Sequence, residues 1–248
     1  MALCYGNSTV GTSGINGDMF FISADNTTII LSDGASGAGV DGKVIMSRHC
    51  AKTIEENPFT LSGLSAKEYL DKMIWKINND LIEISQQSKT YIFGTLTICV
   101  VYNNIAAITS VGDSSAYFMR KHSVSKIAKA QKIYQNLIDM GILTEERAEE
   151  YIKNLPEHMR SMFDRFIPMV VPAYSLEEFE ITSGDMIVLC SDGVSDYVKP
   201  EELKEMINSD NFADSVANII SIAKSRSIKE KNRNHYDDLT MVIYCHSR

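Results

Sequence analysis

Short apolar runs separated by polar turn residues predict paired β-strands in the first part of the chain. Residues 18–23 and 27–32 are rich in Thr, Ile and Phe, and Asp25-Asn26 between them is typical of a turn. Similar runs predict further strands, several of them joined by only a few residues, as in antiparallel sheets. They are Phe93–Tyr102, Ile105–Val111, Ser115–Met119, Glu177–Ile181, Asp185–Cys190 and Leu239–Cys245.

Helical spacing of apolar residues occurs between these groups of strands. The clearest helix follows the capping box Ser65–Glu68, because apolar residues then recur every three or four positions from Leu70 to Ile84. Other helices are predicted at 43–56, from residue 200 and at 211–225, and residues 127–165 are expected to be helical and charged. Strands in pairs with helices inserted in blocks predict an α+β fold with antiparallel sheets.

Composition narrows the class of protein. The chain has 248 residues, 44% of them hydrophobic, and a net charge of −8 with no Lys/Arg-rich run, so nucleic acid is not an expected partner. Its five cysteines are scattered without a CxxC pair, which fits a reducing compartment such as the cytoplasm. No signal peptide is evident and no apolar run reaches the roughly 18 residues of a membrane span, so no membrane association is expected.

Five aspartates adjoin predicted strand ends, next to Gly or another acid. Mg²⁺ and Mn²⁺ prefer oxygen ligands, and clustered carboxylates cannot all ionise without cations, so such a group would indicate a metal site. Asp-Gly is also a common turn dipeptide, and spacing alone does not show that the five converge. They are Asp18, Asp33, Asp113, Asp192 and Asp237.

The order of the motifs around these aspartates favours the metal interpretation. From about Gly14 to Tyr244 the chain resembles the metal-dependent (PPM, type 2C) protein serine/threonine phosphatases of bacteria. The segments that carry the resemblance are NGDMF at 16–20, ILSDG at 30–34, FGTLT at 93–97, SVGDSSAY at 110–117, LIDMGILTEERA at 137–148, VLCSDGVSD at 188–196 and YDDLTMV at 236–242.

The resemblance implies a four-layer αββα sandwich of two antiparallel sheets flanked by helices. It implies one domain over residues 1–248, with a helical flap inserted at about 121–170. The resemblance also implies two core Mg²⁺ or Mn²⁺ ions, and a third in bacterial relatives. The core ligands would be Asp33, the Gly34 carbonyl, Asp192 and Asp237, supported by Asp18, and the third site would comprise Asp113, Asp192 and Asp196.

The implied function is hydrolysis of phosphoserine and phosphothreonine in proteins by a metal-bridging water, with Asp18, Asp33, Asp192 and Asp237 as the catalytic metal-holding residues. The implied setting is cytoplasmic signalling, by a monomer that opposes a Ser/Thr kinase. Two alternatives stay open because Ser13 stands where the family usually carries a phosphate-binding Arg, and Gly17 where an acid is frequent. One is a catalytically weakened, metal-binding regulatory module, and the other is a small-molecule phosphoesterase.

Overall fold

Two antiparallel five-stranded sheets form the centre of the protein. The computed structural model describes residues 2–60, 63–121, 123–128, 138, 140–154, 166–169, 174–230 and 236–247. Sheet I has the strand order β1-β10-β9-β6-β7 and sheet II the order β2-β3-β4-β5-β8. The strands are β1 Leu3–Thr9, β2 Asp18–Ile22, β3 Thr28–Gly34, β4 Gly94–Tyr102, β5 Ile105–Val111, β6 Ser115–Arg120, β7 Ser123–Ala128, β8 Ser175–Glu180, β9 Met186–Cys190 and β10 Leu239–Cys245.

Helices cover the outer faces of both sheets. Each is named by its place along the described chain. The helices of the described residues are α1 Gly39–Glu56, α2 Ala66–Ser88, α3 Glu145–Lys153, α4 Asp192–Ser195, α5 Pro200–Met206 and α6 Phe212–Glu230. Of these, α1 and α2 pack on sheet II, and α5 and α6 pack on sheet I. A single 3₁₀ turn, Ser36–Ala38, leads from β3 into α1. The capping box predicted at Ser65 is present, because its hydroxyl accepts the Glu68 N–H while the Glu68 carboxylate accepts the Ser65 N–H. Within the described residues, no helix is both long and apolar enough to span a membrane.

Three hydrophobic clusters separate four layers. Successive residues of a strand point to opposite faces of its sheet, so Ile30 packs beneath α1 and α2 whereas Ile29 and Leu31 face the other sheet. In β10, Val242 lies in the cluster between the sheets, and Met241 and Ile243 pack against α6. This arrangement confirms the predicted αββα sandwich.

Two strands were not predicted from the sequence. β1 has a mixed polar and apolar sequence and forms a strand because β10 offers an edge along its whole length, from Leu3 opposite Cys245 to Thr9 opposite Leu239. β7 pairs with β6 and includes Ile127 and Ala128, so the prediction of a helical region from residue 127 was wrong at its start. Within 121–170 the structure describes β7, α3 and a few further residues. The helical flap as a whole falls largely outside the described residues and stays a prediction.

Candidate metal centre

Two of the predicted aspartates lie opposite each other in sheet II. The register of β2 and β3 pairs Asp18 with Asp33, and like charges directly opposite in a sheet destabilise it. Asp18 is only 5% exposed. Neither of its carboxylate oxygens has a hydrogen-bond partner of normal geometry among the described residues. Buried polar groups are normally paired, so this carboxylate needs a partner that the described chain does not supply.

The surroundings of Asp18 make its charged form unfavourable. Burial, and to a lesser extent the negative charge of Asp238, raise the pKa of the Asp18 carboxyl to about 6. The polar groups of Thr240, Asp33 and Ser191 lie close enough to lower this pKa, although none makes a hydrogen bond of normal geometry to the carboxylate. The carboxyl is therefore expected to hold a proton or to bind a cation.

The remaining acids surround this pair. Burial raises the pKa of Asp33 well above its ordinary value, and the charges of Asp18, Asp192, Asp237 and Asp113 raise it further. The pKa of Asp192 is also raised well above its ordinary value, by burial and by the charges of neighbouring acids, which are Asp113, Asp237, Asp196 and Asp18. The effect of one charge on the pKa of another group weakens with distance, so the six predicted aspartates lie near one another. We call this group the acidic cluster, and it comprises Asp18, Asp33, Asp113, Asp192, Asp196 and Asp237.

Both sheets contribute to this cluster at the same end of the sandwich. Asp192 begins α4, with one residue between it and the end of β9, and one residue separates Asp237 from the start of β10. The Ser191 hydroxyl accepts the Thr240 N–H at 3.0 Å and so ties these two segments together. In sheet II, Thr95 lies opposite Asp33 and its hydroxyl is 2.6 Å from that of Ser114, which holds the turn containing Asp113 nearby.

The glycines that follow Asp33 and Asp192 allow another backbone segment to lie close to them, and they do not serve to turn the chain. A Cβ on Gly34 would lie 2.1 Å from the backbone oxygen of Lys43, and a Cβ on Gly193 would lie 2.1 Å from that of Asp238. Neither glycine has a positive φ. Asp33-Gly34 lies in β3 and Asp192-Gly193 in α4, so neither pair is a simple turn dipeptide. A side chain at either glycine would push α1 or the segment before β10 away.

The donor set fits a hard divalent cation. It consists of carboxylate oxygens, which Mg²⁺ and Mn²⁺ prefer, and it includes the two unpaired oxygens of Asp18. In the part of the chain that the structure describes, no three acidic, histidine or cysteine side chains already stand as a complete ligand set.

Sequence reasoning missed a seventh acid, Asp238. It is 5% exposed and accepts hydrogen bonds from Gly11 N at 2.7 Å, Gly17 N at 2.8 Å and the Lys43 ammonium at 3.1 Å. The same ammonium donates to the Ser13 hydroxyl at 3.2 Å. The available signal was the acidic pair at 237–238, of which only the first residue was interpreted.

Comparison with known proteins decides the family. The family model described as Protein phosphatase 2C matches residues 6–233, most of the chain. The chain belongs to the protein phosphatase 2C family. Among curated proteins it is similar to serine/threonine phosphatase Stp of Listeria monocytogenes, with 23% identity over 223 residues, 86% of this chain and 83% of Stp.

A second relative of this family is the serine/threonine protein phosphatase PstP of Mycobacterium tuberculosis, which is 31% identical over 129 residues. That match covers 52% of this chain and 24% of PstP, so the chain spans about a quarter of this curated relative. The crystal structure of PstP aligns with 100% of this chain and with 99% of the PstP chain in that structure, with a TM-score of 0.81 and 22% identity. The PstP catalytic domain in complex with two manganese ions has a TM-score of 0.79, also at 22% identity. These structural likenesses confirm the fold.

Proposed function

We propose that the protein is a metal-dependent phosphatase that hydrolyses phosphoserine and phosphothreonine in proteins. The observation that carries the proposal is the buried Asp18 carboxylate, whose oxygens have no hydrogen-bond partner of normal geometry among the described residues although Asp33, Asp192 and Asp238 lie close to it. Such a cluster is stable when cations lie between the carboxylates. Membership of the protein phosphatase 2C family supports the reaction.

The proposed metal ligands are those that the resemblance to the family implies. Asp33, the Gly34 carbonyl, Asp192 and Asp237 would hold two core Mg²⁺ or Mn²⁺ ions, with Asp18 in direct or water-mediated contact. A third ion would lie between Asp113, Asp192 and Asp196, where the charges of the first and last raise the pKa of Asp192. The PstP structure with two manganese ions supports the core pair.

The chain's own residues make the reaction depend on metal. Bound divalent cations lower the pKa of a water molecule and neutralise charge on phosphoryl oxygens. Without them the acidic cluster repels a phosphate dianion. The aspartates thus exclude substrate from the empty site, and the strand ends hold them in position for cations. We further propose a cytoplasmic, monomeric enzyme with a Ser/Thr kinase as its counterpart in signalling, consistent with Stp and PstP being named serine/threonine phosphatases.

A second candidate, a regulatory module with weakened catalysis, is favoured by one observation. Ser13, which stands where an Arg is usual, is exposed and presents a hydroxyl rather than a guanidinium. The described cation that contacts it, Lys43, is itself bound by Asp238. Substrate phosphate would therefore depend more on the metal ions than on a side-chain cation.

Phosphate release from a phosphothreonine peptide with Mn²⁺ tests the proposal, with and without excess EDTA. Turnover should require Mn²⁺ and fall at least about 100-fold in Asp192→Asn, since even outer groups around a metal contribute 10–100-fold. Asp210→Asn, which changes an exposed acid between α5 and α6, is the matched control and should keep full activity.

Two outcomes would contradict this assignment. A folded wild-type protein that binds Mn²⁺ but releases no phosphate from the peptide would identify the regulatory module. Faster hydrolysis of nucleotides or sugar phosphates than of phosphopeptides would identify the small-molecule phosphoesterase.

A further inference from the structure

A buried ion pair lies beside the acidic cluster. The Lys43 ammonium is 3.1 Å from an Asp238 oxygen, and both side chains are only 5% exposed. Lysine and aspartate are rarely buried unless they are paired, and a buried pair adds little net stability because both charges lose their hydration. The position of this pair therefore has to be explained by something other than stability of the fold.

Asp238 and Asp18 are equally buried and differ in their hydrogen bonding. Asp238 is satisfied by three donors, which are two backbone N–H groups and an ammonium. Asp18 has no partner of normal geometry among the described residues. The neutralised Asp238 carboxylate therefore lies near the Asp18 carboxylate, which has no such partner. Asp238 is suited to hold the backbone, and Asp18 is suited to bind metal.

The pair touches the immediate neighbours of three predicted metal ligands. Asp238 follows Asp237, and it binds the N–H of Gly17, which precedes Asp18. The Lys43 side chain passes so close to Gly17 that a Cβ there would lie 2.6 Å from Lys43 Cδ. The backbone oxygen of Lys43 lies against Gly34, at the end of β3. The segments before β2, after β3 and before β10 therefore meet at one ion pair.

The same pair also fastens the loop between β1 and β2. Asp238 holds Gly11 at the start of this loop and Gly17 at its end. Lys43 donates to the hydroxyl of Ser13 between them at 3.2 Å. The Gly17 carbonyl in turn accepts the Gly34 N–H at 3.1 Å, which joins the loop to the segment after Asp33.

We propose that Lys43 and Asp238 are positioning residues for the metal centre, which set the distances between Asp18, Asp33 and Asp237 without touching the substrate. This inference rests on the proposed function, because it presumes that these aspartates bind cations. Removing the ammonium would leave Asp238 with its two backbone donors and an uncompensated charge close to Asp18. The loop and the three ligand segments would then lose their common anchor.

Lys43→Met tests the proposal, because it removes the charge and keeps most of the side-chain volume. The matched control is Arg120→Met, which breaks the ion pair with Asp185 at the opposite end of β9, where Asp185 is 4% exposed and the charges are 2.6 Å apart. For each protein we would measure the Kd for Mn²⁺ by calorimetry, the melting temperature, and kcat and KM for a phosphothreonine peptide at saturating Mn²⁺.

Lys43→Met should weaken Mn²⁺ binding about tenfold, within the 10–100-fold range of groups that orient metal ligands, and should lower kcat with KM unchanged. Arg120→Met should lower the melting temperature and leave Mn²⁺ affinity unchanged. Asp238→Asn is the second variant, used in place of Lys43→Met if that protein does not fold. It keeps one oxygen acceptor and should weaken Mn²⁺ binding in the same way.

Two results would overturn the positioning role. Mn²⁺ affinity within twofold of wild type in the folded variant would show that the pair does not position the ligands. A higher KM with unchanged Mn²⁺ affinity and kcat would show instead that Lys43 binds the substrate phosphate. Failure of the wild-type protein to bind Mn²⁺ at all would refute the proposed metal centre itself, which distinguishes the two failures.

Discussion

Replacing Asp18 by Asn should stabilise the metal-free protein and weaken its response to metal. The pKa of this carboxyl rises from 3.8 to about 6 on folding. This difference lowers the free energy of unfolding of the metal-free protein by about 3 kcal/mol at pH 7. An amide in the same place has to find partners, and one left unsatisfied costs about 1–3 kcal/mol. The net gain is about 1 kcal/mol, or a rise in melting temperature of about 2–4 °C for a domain of this size.

The assay is thermal denaturation in EDTA at pH 7 and pH 4, repeated at pH 7 with Mn²⁺. Folded Asp18 keeps its proton to a higher pH than the unfolded chain does. The penalty is therefore absent below pH 3.8, grows as the pH rises and is complete above about pH 6. The advantage of Asp18→Asn should be present at pH 7 and lost at pH 4, where most of the carboxylate penalty has gone but the unsatisfied amide still costs stability. Mn²⁺ should raise the melting temperature of the wild type more than that of the variant.

Asp25→Asn, beyond the other end of β2, is a control for which the opposite change in melting temperature is expected. Despite partial burial, hydrogen bonds from Ser23 and Thr27 lower the pKa of Asp25, so its charge stabilises the turn and this variant should melt below the wild type at pH 7. The reasoning about Asp18 would be refuted if metal-free Asp18→Asn melted below the wild type at pH 7, or if its advantage did not shrink at pH 4.

Three further substitutions test how the fold supports the centre. Gly34→Ala should lower the free energy of unfolding by about 1–3 kcal/mol in urea titrations, because its Cβ would lie 2.1 Å from the Lys43 backbone oxygen. Ser65→Ala should cost about 1 kcal/mol in the same titration through loss of the α2 cap. Despite burial, hydrogen bonds from Arg120 lower the pKa of Asp185. Its stabilising charge is therefore present above pH 3.8 and lost in stronger acid, so the lower melting temperature of Arg120→Met at pH 7 should approach that of the wild type as the pH falls.

The strands of the core could be predicted because their sequences follow the geometry of a sheet. The run Ile29, Ile30, Leu31 faces two different hydrophobic clusters, and this continuous apolar pattern is expected of a strand buried on both sides. The α2 helix was predictable because Ser65 and Glu68 form a local capping box. Local chemistry therefore determined these elements.

Features that depend on distant partners could not be predicted in this way. β1 is a strand because β10 pairs with it, and its own composition gives little indication. Lys43 lies on a helix, where a lysine usually faces solvent, yet its partner Asp238 is 195 residues away in the sequence. The order of the motifs indicated a metal site. The convergence of the aspartates depends on how the two sheets pack against each other, which no local pattern of residues determines.

The long sequence separation between the two sides of the centre has a consequence for synthesis of the protein. Gly17 and Asp238, which meet beside the acidic cluster, are 221 residues apart. At about 5–20 residues per second, a ribosome needs roughly 10–40 s to make the intervening chain. Until β10 emerges, a nascent chain has Asp18 and Asp33 but lacks Asp237 and the anchor for the first loop. The growing polypeptide therefore cannot assemble the centre until β10 has emerged from the ribosome.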